Sequence, residues 1–176
     1  MNDDLRYPIG PFQQDEAVTP ERMRHWIGAI AEAPARLRSA VAGLSDAQLD
    51  TPYRPGGWTV RQVVHHLPDS HLNSYVRFRL ALTEDNPTIK PYDEARWAEL
   101  PDGRSAPVEL SLALLEALHR RWVLLLESVD EPDWSRPYLH PEYGPRTLRE
   151  TLGLYAWHGR HHVAQITSLR TRMGWT

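Results

Sequence analysis

The sequence predicts an all-α fold, a four-helix bundle with long connecting loops and an extended N-terminal arm. Four segments carry apolar residues at helical spacing, and three of them open on a recognisable N-cap. No segment alternates apolar and polar residues over a useful length. The 176 residues suit one domain.

Residues 1–18 hold Pro8, Gly10 and Pro11 without periodicity and read as an arm; residues 19–176 form the bundle domain. Thr19 caps the first helix, with Pro20 at its first position and Glu21 next. Trp26, Ile27, Ile30, Leu37 and Val41 recur along it, and Pro34 inside the run is expected to kink or split it. A turn-rich connection over 45–55 delivers Trp58 to the second helix. Thr59 and Gln62 make the capping-box pattern there. That helix runs to about residue 83, with Pro68 early in it. Residues 86–104 read as a crossover loop. The third helix covers 107–129 with Leu110, Leu114, Leu118 and Leu125 as its stripe, and 130–146 is irregular with four prolines. Thr147 and Glu150 repeat the capping box and open the fourth helix, which ends near Gly174.

Composition excludes several functions. The net charge of -3 lacks the clustered basic footprint that nucleic-acid binding needs. The chain has no cysteine, so disulfides, thiolate nucleophiles and cysteine-ligated zinc are ruled out. No apolar run approaches the roughly 18 residues of a membrane span. The acidic start has no apolar signal segment, which points to the cytoplasm. Lys90 is the only lysine among 20 basic residues, and six of the nine histidines fall in two tight groups: His65, His66 and His71, then His158, His161 and His162.

Helical angles sort these histidines. Residues at i and i+4 project from one face about 5–6 Å apart, within reach of one ion. With His158 at zero, Leu148, Tyr155, Ile166, Leu169 and Met173 fall between roughly 20° and 80°. His162 lies near 40°, inside this stripe, and His161 near 300°, toward solvent. On the second helix Val60, Val63, Val64, Leu67, Phe78 and Ala81 form the buried face; His66 sits at its rim, His65 points away, and His71 falls within it as a competitor. One inward histidine is ordinarily a hydrogen-bonded core residue. Two at i+4, with a third from another helix, require an explanation, and a divalent metal supplies it. Three imidazoles suit zinc, or nickel, cobalt or iron, and leave a coordination position open. The segment around His158 lacks the glutamate of the metalloprotease HExxH motif.

Other constellations are weaker. Asp69, Asn73 and Ser70 lie beyond His66 as candidate site-wall groups, and Arg160 and Gln165 flank the ligand pair as groups able to orient an anion or a water. Gly56-Gly57 is no phosphate loop, and no nucleophile elbow is present. Trp58, Trp122, Trp157 and Trp175 read as core residues. No general acid or base is assigned.

The run Arg54-Pro55-Gly56-Gly57-Trp58-Thr59-Val60-Arg61-Gln62-Val63-Val64-His65-His66-Leu67 resembles the entry to the second helix of DinB-like proteins, and of the YfiT group within them. Ser70 to Tyr75, Tyr92 to Trp97, Gly153 to His158, His161 to Ile166 and the Met173-Gly174-Trp175 end fit the same resemblance. It implies a four-helix bundle, commonly a homodimer, with one divalent metal held by three histidines. The family histidine eight residues beyond the tryptophan falls on His66, and its His-x-x-x-His falls on His158 and His162. The resemblance implies a metal-dependent hydrolase in which the ion activates a water against a small electrophilic substrate. The alternatives are transfer of a low-molecular-weight thiol of the bacillithiol type, or a non-catalytic metal-binding stress-response module.

Overall fold

The computed structural model describes residues 3–15 and 17–175 of the chain. Met1, Asn2 and Glu16 of the arm, and the final Thr176, lie outside the described residues. The described elements, in order, are α1 (Asp3–Arg6), α2 (Pro20–Val41), α3 (Asp46–Leu49), α4 (Val60–Thr83), α5 (Glu94–Ala98), α6 (Pro101–Ser105), α7 (Val108–Glu127), a 3₁₀ turn (Glu131–Ser135), strands β1 (Pro137–His140) and β2 (Gly144–Thr147), and α8 (Leu148–Met173).

The four long helices are α2, α4, α7 and α8, and they form a bundle. Helix α2 packs on α8 and α7, and α4 packs on α7 and α8. Their starts follow the sequence signals. The Thr19 side chain accepts from the Arg22 amide, with Pro20 in the first turn. Thr59 with Gln62, and Thr147 with Glu150, form reciprocal capping boxes. Gly174 closes α8 at φ 65°, a left-handed conformation that a side chain would oppose. No helix among the described residues is long and apolar enough to cross a membrane.

Several expectations are corrected. Helix α2 is not split at Pro34 and runs from Pro20 to Val41 as one element. The crossover segment is not a bare loop: it contains α5 and α6, and both pack on α4. The irregular stretch after α7 contains an antiparallel two-stranded hairpin, β1 against β2. The arm includes the one-turn helix α1. The stripe of α7 is phased differently from the expected one: Leu110 and Leu114 are exposed, and the buried side chains are Val108, Leu112, Leu115, Leu118, His119, Trp122 and Leu126.

The apolar core divides into two clusters along the bundle. One gathers Trp26, Ile30, Phe78, Trp122, Leu148 and Leu152; the other gathers Leu37, Val63, Leu67, Leu115, Ile166 and Leu169. Between them, each helix contributes a small or polar residue: Ala33 on α2, His71 on α4, His119 on α7, and His158 and Gly159 on α8. A methyl group built on Gly159 would lie 3.2 Å from the Ala33 Cβ, so glycine there permits the close approach of α8 to α2. The histidines thus occupy a polar layer through the middle of the bundle.

Candidate metal centre

His158 and His162 project from α8 one turn apart, and His66 faces them from α4. The His158 Nε2 lies 3.2 Å from the His162 Nε2 and 3.4 Å from the His66 Nε2. One ligand atom from each of the three residues lies within 4.8 Å of the other two. Zinc–nitrogen bonds of about 2.0–2.1 Å in a tetrahedron put neighbouring nitrogens about 3.3 Å apart, so the spacing suits one ion. Burial pushes the pKa of all three rings well below the ordinary histidine range, and neighbouring imidazoles add to it. Neutral rings are the form that ligates metal.

The surrounding residues orient this donor set. Trp58, delivered by the turn before α4, packs its ring 4.7 Å from the ring of His66. The Gln165 side chain donates to the Arg6 carbonyl at 3.0 Å, which fixes its amide orientation and turns Oε1 toward His162. His162 Nδ1–H therefore donates to Gln165 Oε1 at 2.8 Å, and its Nε2 is left with a lone pair. Gln165, expected to orient an anion or a water, is 3% exposed and here orients a ligand candidate.

His65 and His161 also depart from expectation, since both are buried. His65 bonds Ser111 Oγ at 2.7 Å and the Ala106 carbonyl at 3.1 Å, because the end of the crossover segment covers that face of α4. His161 stacks on Trp157 at 4.4 Å and receives Gln165 Nε2–H at 2.9 Å, with Tyr7 of the arm 5.5 Å away. Its pKa falls to about 4, chiefly through burial. His71 is fully buried, and both its nitrogens are engaged by other histidines. It therefore supports the site rather than competing for the ion.

The three ligand candidates line a cavity of about 910 Å³ between α4, α8, the arm and the hairpin. Trp157 lines it, which corrects its assignment to the core; Trp58 lines it while also packing against the core, and Trp122 is fully buried. Of the candidate wall residues only Ser70 lines it; Asp69 and Asn73 do not. The helical phase gives the reason, since Asp69 projects from the side of His66 away from the buried stripe. Asn73 turns back to its own helix and donates to the Asp69 carbonyl at 2.8 Å. The polar groups of the lining with no role in the sequence reading include Tyr92 and Tyr155. The helical phase already put Tyr155 in the inward stripe of the last helix without giving it a role, whereas Tyr92 lies in the crossover segment and has no spacing signal to aim it.

Burial, with the Asp102 charge second, raises the Asp69 pKa from 3.8 to about 6. A folded-state pKa above the unfolded one means that the native state holds more protons between about pH 4 and 6, so this group's contribution to stability falls as pH rises through that window. Asp69→Asn is therefore expected to raise stability at pH 7 by on the order of 1 kcal/mol after solvent screening, with no gain at pH 4. Urea unfolding at both pH values checks this, and a gain equal at both would refute it.

Residues 29–166 match the DinB superfamily. A Bacillus cereus protein named "Putative metal-dependent hydrolase" is 58% identical over 175 residues, covering 99% of this chain and 100% of its own length. The chain also superimposes on the solved structure of YfiT from Bacillus subtilis with a TM-score of 0.96 at 52% identity, covering 98% of this chain and 99% of the other. That protein is described as "a probable metal-dependent hydrolase with an unusual four-helix bundle topology". A second four-helix bundle protein, TT2238, aligns with a TM-score of 0.56 at 20% identity over 80% of this chain and 94% of its own, a likeness of fold alone.

Proposed function

The chain belongs to the DinB superfamily, and from that premise we propose that it is a metal-dependent hydrolase acting on a small electrophilic substrate. The observation that carries this reading is the convergence of His66, His158 and His162 at a cavity wall, with Nε2 separations of 3.2 and 3.4 Å. These three residues would hold one divalent cation, zinc by the chemistry of the donor set, with nickel, cobalt or iron as substitutes. When bound, such an ion supplies Lewis acidity and acidifies water.

The protein's own groups supply the rest. Three protein donors leave room for an exogenous one, as in catalytic rather than structural zinc sites. The cavity volume falls in the range of small-molecule sites. Tyr155 stands beside His158, with ring centroids 5.4 Å apart, and its hydroxyl lies 3.4 Å from Ser70 Oγ. Burial raises the Tyr92 hydroxyl above the ordinary tyrosine range, so it stays protonated. These hydroxyls serve as hydrogen-bond donors to a substrate oxygen. Tyr7 and Trp157 add aromatic surface to the cavity wall.

The test is turnover of a panel of small esters, amides and epoxides by the zinc-loaded protein. It is run in water alone, and again with a low-molecular-weight thiol. Hydrolysis in water alone, abolished by chelation, is the expected result. Turnover only with added thiol would replace hydrolysis by thiol transfer. No turnover in either arm, together with metal that does not respond to azide or thiols, would favour a non-catalytic module.

A further inference from the structure

Two buried histidines, His71 on α4 and His119 on α7, lie outside the candidate ligand set, at 0% and 1% exposure. They form a continuous chain with one of the ligands. The His119 Nδ1 lies 2.6 Å from the Ile30 carbonyl oxygen, the His119 Nε2 lies 2.8 Å from the His71 Nδ1, and the His71 Nε2 lies 3.1 Å from the His158 Nδ1. The chain touches α2, α7, α4 and α8, all four helices of the bundle.

Its direction is fixed at one end. In a helix the carbonyl of residue 30 would accept from the amide of residue 34, but position 34 is proline and has no N–H. The Ile30 carbonyl is an acceptor only, so His119 must carry its proton on Nδ1. Its neutral ring then offers Nε2 as an acceptor, and His71 must donate from Nδ1. The His71 Nε2 accepts in turn, which places the His158 proton on Nδ1 and leaves its Nε2 with a lone pair. That Nε2 is the atom 3.2 Å from the unprotonated Nε2 of His162. Two lone pairs cannot hydrogen-bond each other, so a shared cation is what this arrangement accommodates.

We propose that the Ile30 carbonyl, exposed by Pro34, and the side chains of His119 and His71 form a tautomer relay that aims the Nε2 of His158 at the metal. His71 and His119 are positioning residues. This inference rests on the metal reading for its purpose, although the tautomer order itself exists without the ion.

Long-range nitrogen–proton NMR on histidine-labelled, metal-free protein reads the tautomers directly. The expected result is an Nδ1–H form at His119, His71 and His158. His119→Phe removes the anchor while filling the space, and chelator competition with Zn²⁺ should then show affinity weakened roughly 10–100-fold, with the His158 signal shifting to mixed tautomers. Pro34→Ala returns an amide N–H to compete for the Ile30 carbonyl, and should weaken Zn²⁺ binding in the same direction while keeping the helix. An Nε2–H ring at His158 in the metal-free protein overturns the relay. So does unchanged Zn²⁺ affinity in a folded His119→Phe protein, or in Pro34→Ala if the first variant does not fold. The assigned tautomers without Zn²⁺ uptake would instead count against the metal reading.

Discussion

Replacing His158 with alanine is expected to strip the protein of bound divalent metal. His158 is the central donor, since its Nε2 stands 3.2 Å from His162 and 3.4 Å from His66. Its loss leaves two donors from separate helices and orphans the His71 Nε2, a buried acceptor. The expected fall in Zn²⁺ affinity exceeds the roughly 100-fold upper range seen when only an outer partner of a ligand is removed. Metal analysis of the purified variant and chelator competition measure this. His65→Ala serves as a control, because its ring bonds Ser111 and Ala106 on a different face and should leave metal content stoichiometric. Tight, stoichiometric metal in His158→Ala would mean that the donors have been misidentified.

The second large effect is on stability. Trp122 is fully buried, and its ring makes edge contacts with Phe78 at 5.5 Å, Tyr155 at 5.7 Å, and His71 and His119 at 5.8 Å. Trp122→Ala is expected to cost about 3–5 kcal/mol, a large part of a domain's usual margin. The indole Nε1 is buried with no hydrogen-bond partner, so the loss is one of packing. Trp122→Phe, which keeps most of the ring and removes an unpartnered donor, should cost much less. Urea unfolding with an unchanged m-value reads both. A cost below about 1 kcal/mol for the alanine variant would show that the core collapses around the gap.

Much of this was legible before any coordinates. The caps at Thr19, Thr59 and Thr147 announce themselves through residue types at fixed offsets, and the observed helices begin where those patterns lie. The pairing of His158 with His162 follows from a four-residue spacing. The misplacement of His65 and His161 has one physical cause. Angular arguments treat a helix as bordered by either core or water, whereas irregular segments fold over the outer faces here. Ala106 covers His65, and the arm covers His161, so two rings read as solvated are buried. The α7 stripe failed differently: choosing leucines four apart selected Leu110 and Leu114, while the buried phase runs through Leu112, Leu115, Trp122 and Leu126. His119 belongs to that phase. A stripe drawn through the tryptophan would have found it. Pro34 does not split α2, since a helix accepts proline when another group, here His119, takes up the carbonyl it frees.

The arm has a consequence for anyone trimming this protein. Its Arg6 carbonyl holds Gln165, and its Gly10 carbonyl receives the Trp157 indole N–H at 3.2 Å. A shortened version starting at α2 would retain every imidazole and still lose the two main-chain oxygens that hold those side chains in place. Fusion partners belong at the other terminus, because the Arg6 and Gly10 carbonyls are working components of the centre.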